Sequence, residues 1–140
     1  MIKAVIDTNI FFSALLNVSG APTKLILRWL QGQYDLLISE QIMEEYTYVL
    51  RLLPGVYQDK VTALLHALNS EAINVVISDT LKVCKDHDDD KFLETAITGQ
   101  AEYLVTKNTK HFPAKSYQNV RIVKVSKFLR EIEKIFPLTE

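Results

Sequence analysis

The sequence is poor in the residues that mark secreted, fibrous and membrane proteins. Its 140 residues include one cysteine, four glycines and four prolines. A single cysteine excludes an intrachain disulfide and a zinc centre built on several cysteines, which favours a reducing compartment. No apolar run approaches the roughly 20 residues of a membrane span, since Asp7 and Arg28 interrupt the most apolar stretches. We therefore expect a soluble, cytoplasmic protein without a membrane partner.

The sequence also lacks a large net charge of either sign. The chain has 16 Lys and Arg against 17 Asp and Glu, for a formal net charge of −1. The distribution is uneven, however, with acids concentrated in residues 71–94 and bases in residues 107–134. An acidic centre beside a basic surface suits a polyanionic substrate that approaches a cation held by carboxylates. A solvated helix face explains the last four of these bases equally well.

Apolar residues, in contrast, are abundant and regularly spaced. At 48% hydrophobic content, the chain is expected to form one globular domain over residues 1–140. Buried strands alternate with helices, which predicts a three-layer α/β/α sandwich around a mainly parallel sheet. We predict strands at 2–6, 34–39, 73–78, 103–106 and 121–125, and helices at 9–16, 22–31, 40–53, 57–70, 89–99 and 126–136, the last one capped by Ser126.

Oxygen-rich side chains follow the first four predicted strands. Asp7 ends the first strand in the stretch VIDTN, and Glu45 lies in the helix after the second. The acidic stretch DHDDD at 86–90 follows the third strand, and Thr106 ends the fourth. The carboxyl ends of parallel strands meet at one edge, where ligands bind near the point at which strand order reverses. The pattern therefore predicts a functional site at this edge.

Helical periodicity separates neighbouring acids. In the helix after the second strand, Glu45 borders the apolar stripe, whereas Glu44 points away from it into solvent. In the helix that begins with the acidic stretch, Asp89 shares the core side and Asp90 turns away. We therefore select Glu45 and Asp89 as site residues to accompany Asp7.

These three carboxylates, with Asp88 as a further ligand, predict an oxygen-only metal site. Hard oxygen ligands suit Mg²⁺ or Mn²⁺, which keep several waters and bind phosphate oxygens. Such a site supports metal-assisted hydrolysis of a phosphodiester. For the acids at 86–90, helix capping and a merely solvated charge run are the alternatives.

The order of these motifs resembles the PIN domain family. The resemblance rests on VIDTN, the glutamate after the second strand, the aspartate before an FLETA-type helix start, and T-x-N followed by HF. It is strongest to prokaryotic, VapC-like PIN proteins described as toxin components of toxin-antitoxin systems. It implies a compact α/β fold, Mg²⁺- or Mn²⁺-dependent endoribonuclease activity, homodimers or higher homo-oligomers, and an antitoxin partner. The family's acids map onto Asp7, Glu45 and Asp89.

The fourth acidic position of many PIN domains is occupied here by Asn108. We expect Asn108 to position the attacking water or the phosphate, with Asp86 or Asp88 supplying the missing charge. The substrate-binding candidates are Thr106, Lys107, Lys110 and His111, and the supporting residues are Thr8 and Asn9. For Thr8 and Asn9, capping of the next helix is the simpler explanation. For His111, an ordinary loop position beside a proline is the alternative.

Two other functions compete with the ribonuclease hypothesis. The neutral Asn108 permits a non-catalytic PIN-like module that binds RNA or a protein. A phosphatase-type hydrolase would use Asp7 as its nucleophile. That second alternative lacks an aspartate at position 9 and leaves Glu45 without a role.

Overall fold

A six-stranded sheet with helices on both faces forms the framework of the protein. The computed structural model describes residues 1–138, so residues 139 and 140 of the predicted domain lie outside the described part. The strands are β1 (Lys3–Ile6), β2 (Asp35–Ile38), β3 (Ile73–Asn74), β4 (Tyr103–Val105), β5 (Ser116–Tyr117) and β6 (Val120–Val123). The helices are α1 (Thr8–Leu16), α2 (Ala21–Leu30), α3 (Glu40–Leu50), α4 (Gln58–Glu71), α5 (His87–Thr98) and α6 (Val125–Ile135).

The strand order confirms the predicted, mainly parallel α/β sandwich. It runs β3-β2-β1-β4-β6-β5, and every neighbouring pair is parallel except β5 with β6. The chain winds outward from β1 through β2 to β3 and then returns to β4 on the other side of β1. The strand order therefore reverses between β1 and β4, which is where α/β proteins of this kind bind ligands.

Aromatic residues pack helices α1 and α3 together at the end of β1. The rings of Phe11 in α1 and Tyr46 in α3 meet edge to face with their centroids 4.9 Å apart. Such a pair contributes about 0.5–1.5 kcal/mol beyond the burial of its area. The Tyr46 hydroxyl also donates a hydrogen bond to the carbonyl of Ile6, the last residue of β1. This contact fixes α3, which carries Glu45, against the end of β1, which leads directly into Asp7.

The third predicted strand is shorter than expected. Residues 73–78 were predicted, whereas β3 contains only Ile73 and Asn74. Its partner β2 ends at Ile38, and the last contact of the pair is the Val75 N–H, which donates to the Ile38 carbonyl at 2.7 Å. After Ile38 the chain of β2 leads into α3, so residues beyond Val75 have no strand with which to pair. They form a loop that is hydrogen-bonded to α5.

A hairpin, β5–β6, includes residues 116–120, for which the sequence predicted neither strand nor helix. Ser116 pairs with Arg121 and Tyr117 with Val120 in an antiparallel arrangement. The two residues of the turn, Gln118 and Asn119, have φ values of 46° and 70°. Positive φ at both central residues matches the right-handed twist of a two-residue hairpin.

Most helix boundaries lie within one residue of the predictions, but two ends differ by more and one predicted cap is wrong. Helix α3 ends at Leu50 rather than at residue 53, shortly before the Pro54-Gly55 sequence. Helix α5 begins at His87 rather than at Asp89, because the Asp86 side chain caps it. The predicted Ser126 cap is wrong, since α6 begins at Val125 and Lys124 occupies the cap position.

Within residues 1–138, no single helix is long and apolar enough to cross a membrane. Helices α1 and α2, bent by 106° relative to each other, reach that length and composition only when they are taken together.

Candidate active site

Asp7 lies at the point where the strand order reverses. Its backbone N–H donates to the carbonyl of Val105, the last residue of β4, at 2.9 Å. The hydroxyl of Thr106 donates to Asp7 Oδ2 at 2.6 Å. Only 8% of Asp7 is exposed, and Thr106 is completely buried. Thr106, predicted to contact substrate, therefore lies behind Asp7 and orients its carboxylate.

Asp89 faces the same region from the first turn of α5. Its side chain is 18% exposed, and its Oδ2 atom is buried without a hydrogen-bond partner in the described residues. Burial, followed by the charges of Asp7 and Asp86, raises the pKa of Asp89 to about 6. The His111 ring opposes this rise, with Nδ1 at 3.7 Å from Asp89 Oδ2.

The pKa of Asp7 is raised as well. Burial is the main cause, the Thr106 hydroxyl opposes it, and the charge of Glu45 adds to it. Asp7 and Asp89 thus share a poorly solvated region in which the negative charge is incompletely neutralised. A bound cation would relieve this electrostatic cost.

Glu45 borders the two aspartates, and both of its carboxylate oxygens have partners. Oε2 accepts a hydrogen bond from the Thr8 hydroxyl, and Oε1 lies 2.8 Å from Lys91 Nζ. The predicted helical phase is confirmed, since Glu45 is half-buried and Glu44 is exposed. Thr8, predicted as a supporting residue or a helix cap, positions Glu45 through its hydroxyl.

The residues present fit a hard divalent cation with few protein ligands. Among residues 1–138, no group of three or more His, Cys, Asp or Glu side chains is arranged to enclose a metal ion. Mg²⁺ is commonly bound through one or two carboxylates and keeps several waters. Asp7 and Asp89 match that requirement, and the free Oδ2 of Asp89 is an available oxygen ligand. A second buried oxygen, the amide Oδ1 of Asn9, also has no hydrogen-bond partner within the described part of the chain.

The other two predicted carboxylates of the acidic stretch lie in different surroundings. Asp86 caps α5, since its Oδ1 accepts from the Asp88 N–H at 2.9 Å. Its charge reaches Asp89 and raises the pKa of that residue. Asp88 is exposed and lines a groove with Glu44 and Tyr48. Asp86 is therefore the nearer source of the additional charge that the sequence suggested.

Asp90 does not turn away from the core as predicted. It is 2% exposed, and its Oδ1 accepts from the backbone N–H groups of Val83 and Cys84 at 3.0 and 2.8 Å. Its Oδ2 lies 2.8 Å from His87 Nδ1. Burial alone would raise the pKa of Asp90, but these hydrogen bonds hold it below the ordinary value. The prediction failed because a loop, rather than the sheet, covers this side of α5.

Glu94, one turn after Asp90, holds the other half of that loop. Its carboxylate accepts from the backbone N–H groups of Asp79, Thr80 and Leu81, each at 2.9 Å, and from the Ser78 hydroxyl at 3.1 Å. We call Asp90, Glu94 and the residues 78–84 that they bind the loop clasp. Sequence reasoning missed it, although two acids spaced four apart beside buried apolar residues were a detectable signal.

The predicted substrate-binding residues lie on the segment after β4. Asn108 is exposed, and its backbone N–H donates to Thr106 Oγ1 at 3.1 Å. Lys107 is exposed and donates to the Ser13 hydroxyl, and Lys110 is exposed as well. His111 is exposed, and its Nδ1 lies 3.7 Å from Asp89 Oδ2.

The fold and the site define a class: an α/β protein with a carboxylate site at the switch point of its sheet. The chain belongs to the PIN domain family, whose model matches residues 3–110. Proteins of this family are generally nucleases, which supports a hydrolytic enzyme. The match covers β1 through the segment after β4 and therefore includes Asp7, Glu45, Asp89 and Asn108.

Two further similarities extend over most of the chain. The sequence is 27% identical over 145 residues to the uncharacterized protein MJ1680 of Methanocaldococcus jannaschii, covering 95% of this chain and 93% of that protein. The fold is similar to a chain in the crystal structure of VapBC2 from Rickettsia felis bound to a DNA fragment from its promoter. That likeness has a TM-score of 0.56 and 18% identity, and it covers 88% of this chain and 98% of the other. At this identity it supports the fold alone.

Proposed function

We propose that this protein is an endoribonuclease that hydrolyses RNA phosphodiesters with a bound Mg²⁺ or Mn²⁺. The observation that carries the proposal is the buried Oδ2 of Asp89, which accepts no hydrogen bond from residues 1–138 and lies near Asp7 at the switch point. A buried carboxylate without a donor is costly unless something else compensates its charge. Membership of the PIN family supports the same chemistry.

Asp7 and Asp89 would hold the cation. When bound, it supplies an acidified water and neutralises charge that develops on the phosphate and the leaving oxygen. Thr106 keeps Asp7 pointed at the edge of the sheet. Glu45 is held by Thr8 and Lys91, and it is proposed to orient the attacking water. Asn108 is proposed to position the same water or the phosphate, in place of a further acid.

RNA is proposed to approach over the segment after β4. Lys107 and Lys110 are exposed on that segment, which also carries His111, the residue whose ring lies 3.7 Å from Asp89. Exposed lysines attract a phosphate backbone without reading its sequence. The groove beside Glu45 contains two exposed acids, Glu44 and Asp88, which would repel a phosphate backbone. The charge distribution therefore favours a path along the lysine-bearing side.

We also propose that the protein is the toxin of a toxin-antitoxin pair, acts in the cytoplasm and forms homodimers or higher homo-oligomers. The fold neighbour is a VapBC complex, which supports an antitoxin partner. An apolar cavity of about 310 Å³ lies between α1, α2 and α4. Val18, Leu27 and Leu30 at its border are at least half exposed, and exposed apolar clusters of this kind commonly bind proteins.

The test is cleavage of a mixed set of single-stranded and structured RNAs with Mn²⁺, Mg²⁺ or EDTA. We expect cleavage only with metal, and a loss of about a hundredfold or more in Asp7→Asn and Asp89→Asn proteins. Asp59→Asn, an exposed acid on α4, is the matched control and should cleave like the wild type. Cleavage that survives EDTA or persists in Asp89→Asn would contradict the proposal.

The neutral side chain of Asn108 favours one competing function, a non-catalytic module that binds RNA or a protein. In that case the wild-type protein would bind RNA with full affinity and show no metal-dependent turnover. The Asp7→Asn and Asp89→Asn variants would then bind RNA as the wild type does.

A further inference from the structure

Lys91 brings a positive charge into the acidic site from α5. Its Nζ lies 2.8 Å from Glu45 Oε1 and donates to the Asp88 carbonyl at 2.6 Å. Only 14% of the side chain is exposed, and the ammonium lies 5.3 Å from the centroid of the Phe92 ring. The side chain is therefore held in place rather than free in solvent.

This position is electrostatically unusual for a lysine. The ammonium reaches back to the first turn of α5, where the helix dipole favours anions and disfavours cations. The charge of Glu45 offsets that cost. Glu45 in turn depends on Lys91, because Thr8 binds only its other oxygen. The two side chains thus fix each other at the border of the carboxylate pair.

The two oxygen contacts of the ammonium are those that a hard divalent cation would make. Mg²⁺ and Mn²⁺ bind carboxylate and backbone carbonyl oxygens. Two-metal hydrolytic sites hold their ions about 3.5–4 Å apart and need carboxylate oxygens for both. Here the Oε1 atom of Glu45 is occupied, and a second cation beside Lys91 would meet a like charge.

We infer that Lys91 is a positioning residue that takes the place of a second metal ion and restricts the site to one divalent cation, bound by Asp7 and Asp89. The inference rests on the proposed metal-dependent function. It goes beyond that function by stating how many ions the site holds and which residue sets the number.

The experiment counts Mn²⁺ bound per protein chain, by isothermal titration and by the electron paramagnetic resonance signal of free Mn²⁺. Wild type and Lys91→Arg, which keeps the charge, should bind one ion. Lys91→Met and Lys91→Gln should bind two, and the first ion should bind about tenfold tighter because a nearby like charge is gone. Lys85→Met removes an exposed lysine of the preceding loop and should still bind one.

A second substitution tests whether the carboxylate of Glu45 becomes the ligand of the second ion when Lys91 is removed. Adding Glu45→Gln to Lys91→Met should return the count to one ion, because the second ion loses its charged ligand. Two ions in the wild type, or one ion in both Lys91→Met and Lys91→Gln, would overturn the inference while leaving metal-dependent cleavage intact. Absence of Mn²⁺ binding in every variant would refute the proposed function and the inference together.

Discussion

Two pairs of carboxylates occupy neighbouring regions of the molecule, and their pKa values are shifted in opposite directions. In the site, Asp7 and Asp89 have raised pKa values, and one oxygen of Asp89 has no donor within the described residues. In the loop clasp, Asp90 and Glu94 accept several N–H donors, and their pKa values are lowered. Asp89 and Asp90 are adjacent in sequence, yet they fall on different sides of this division.

The difference shows how to separate a functional carboxylate from a structural one. A carboxylate saturated by backbone N–H groups stabilises the fold in its ionised form. One that is partly buried without enough donors costs folding free energy when it is ionised, and that cost becomes useful when a cation binds. The two kinds of carboxylate are distinguished by whether their oxygens accept hydrogen bonds, and residue type and local sequence do not separate them.

The largest effect on stability is expected in the loop clasp. Glu94→Gln should lower the free energy of unfolding by about 2–4 kcal/mol, because hydrogen bonds to a charged acceptor are weakened and an amide group faces N–H donors. Asp89→Asn, the matched change in the site, should leave stability unchanged or higher. Urea unfolding of both variants measures the contrast. Equal losses in the two variants would mean that Asp89 is a structural residue.

A smaller effect is expected in the pH dependence of stability. Between its ordinary value of 3.8 and about 6, Asp89 binds more protons in the folded state than in the unfolded state. Its contribution to stability therefore falls as pH rises through that window and is constant above it. Asp7, whose pKa is also raised, acts in the same direction. The clasp acids act oppositely, since their lowered pKa values give stability that is lost as pH falls below the ordinary range.

The difference between two melting temperatures isolates the contribution of Asp89 to the pH dependence of stability. In metal-free buffer, the melting temperature of the wild type minus that of Asp89→Asn should decrease by a few degrees from pH 4 to pH 6 and then stay level. The same subtraction with Asp59→Asn, an exposed acid on α4, serves as the control. If the difference for Asp89→Asn does not change with pH, the claim that folding raises the pKa of Asp89 is wrong.

The parts of the structure that follow hydrophobic periodicity were predictable from sequence. The parallel sheet, its main helices and the half-buried position of Glu45 depend on which residues face the core, and that pattern is local. The convergence of Asp7 and Thr106 followed from the rule that parallel strands end at one edge. These predictions needed no knowledge of side-chain contacts.

The parts that failed depend on how a neighbouring loop folds over a helix, on turn geometry, or on contacts between different helices. Asp90 was misplaced because residues 78–84, rather than the sheet, cover its side of α5. The β5–β6 hairpin was missed because its turn uses Gln118 and Asn119 at positive φ without a glycine. The pairing of Lys91 with Glu45 joins α5 to α3 and has no signature in either helix alone.

The most direct test of the central claim is the titration of the Asp89 carboxyl carbon by NMR, with and without Mg²⁺. Without metal, we expect a pKa of about 6. With Mg²⁺, it should fall to the ordinary aspartate range or below, because a bound cation favours the ionised form. An ordinary pKa in both conditions, unmoved by Mg²⁺, would contradict the claim that Asp7 and Asp89 form a site for a divalent cation.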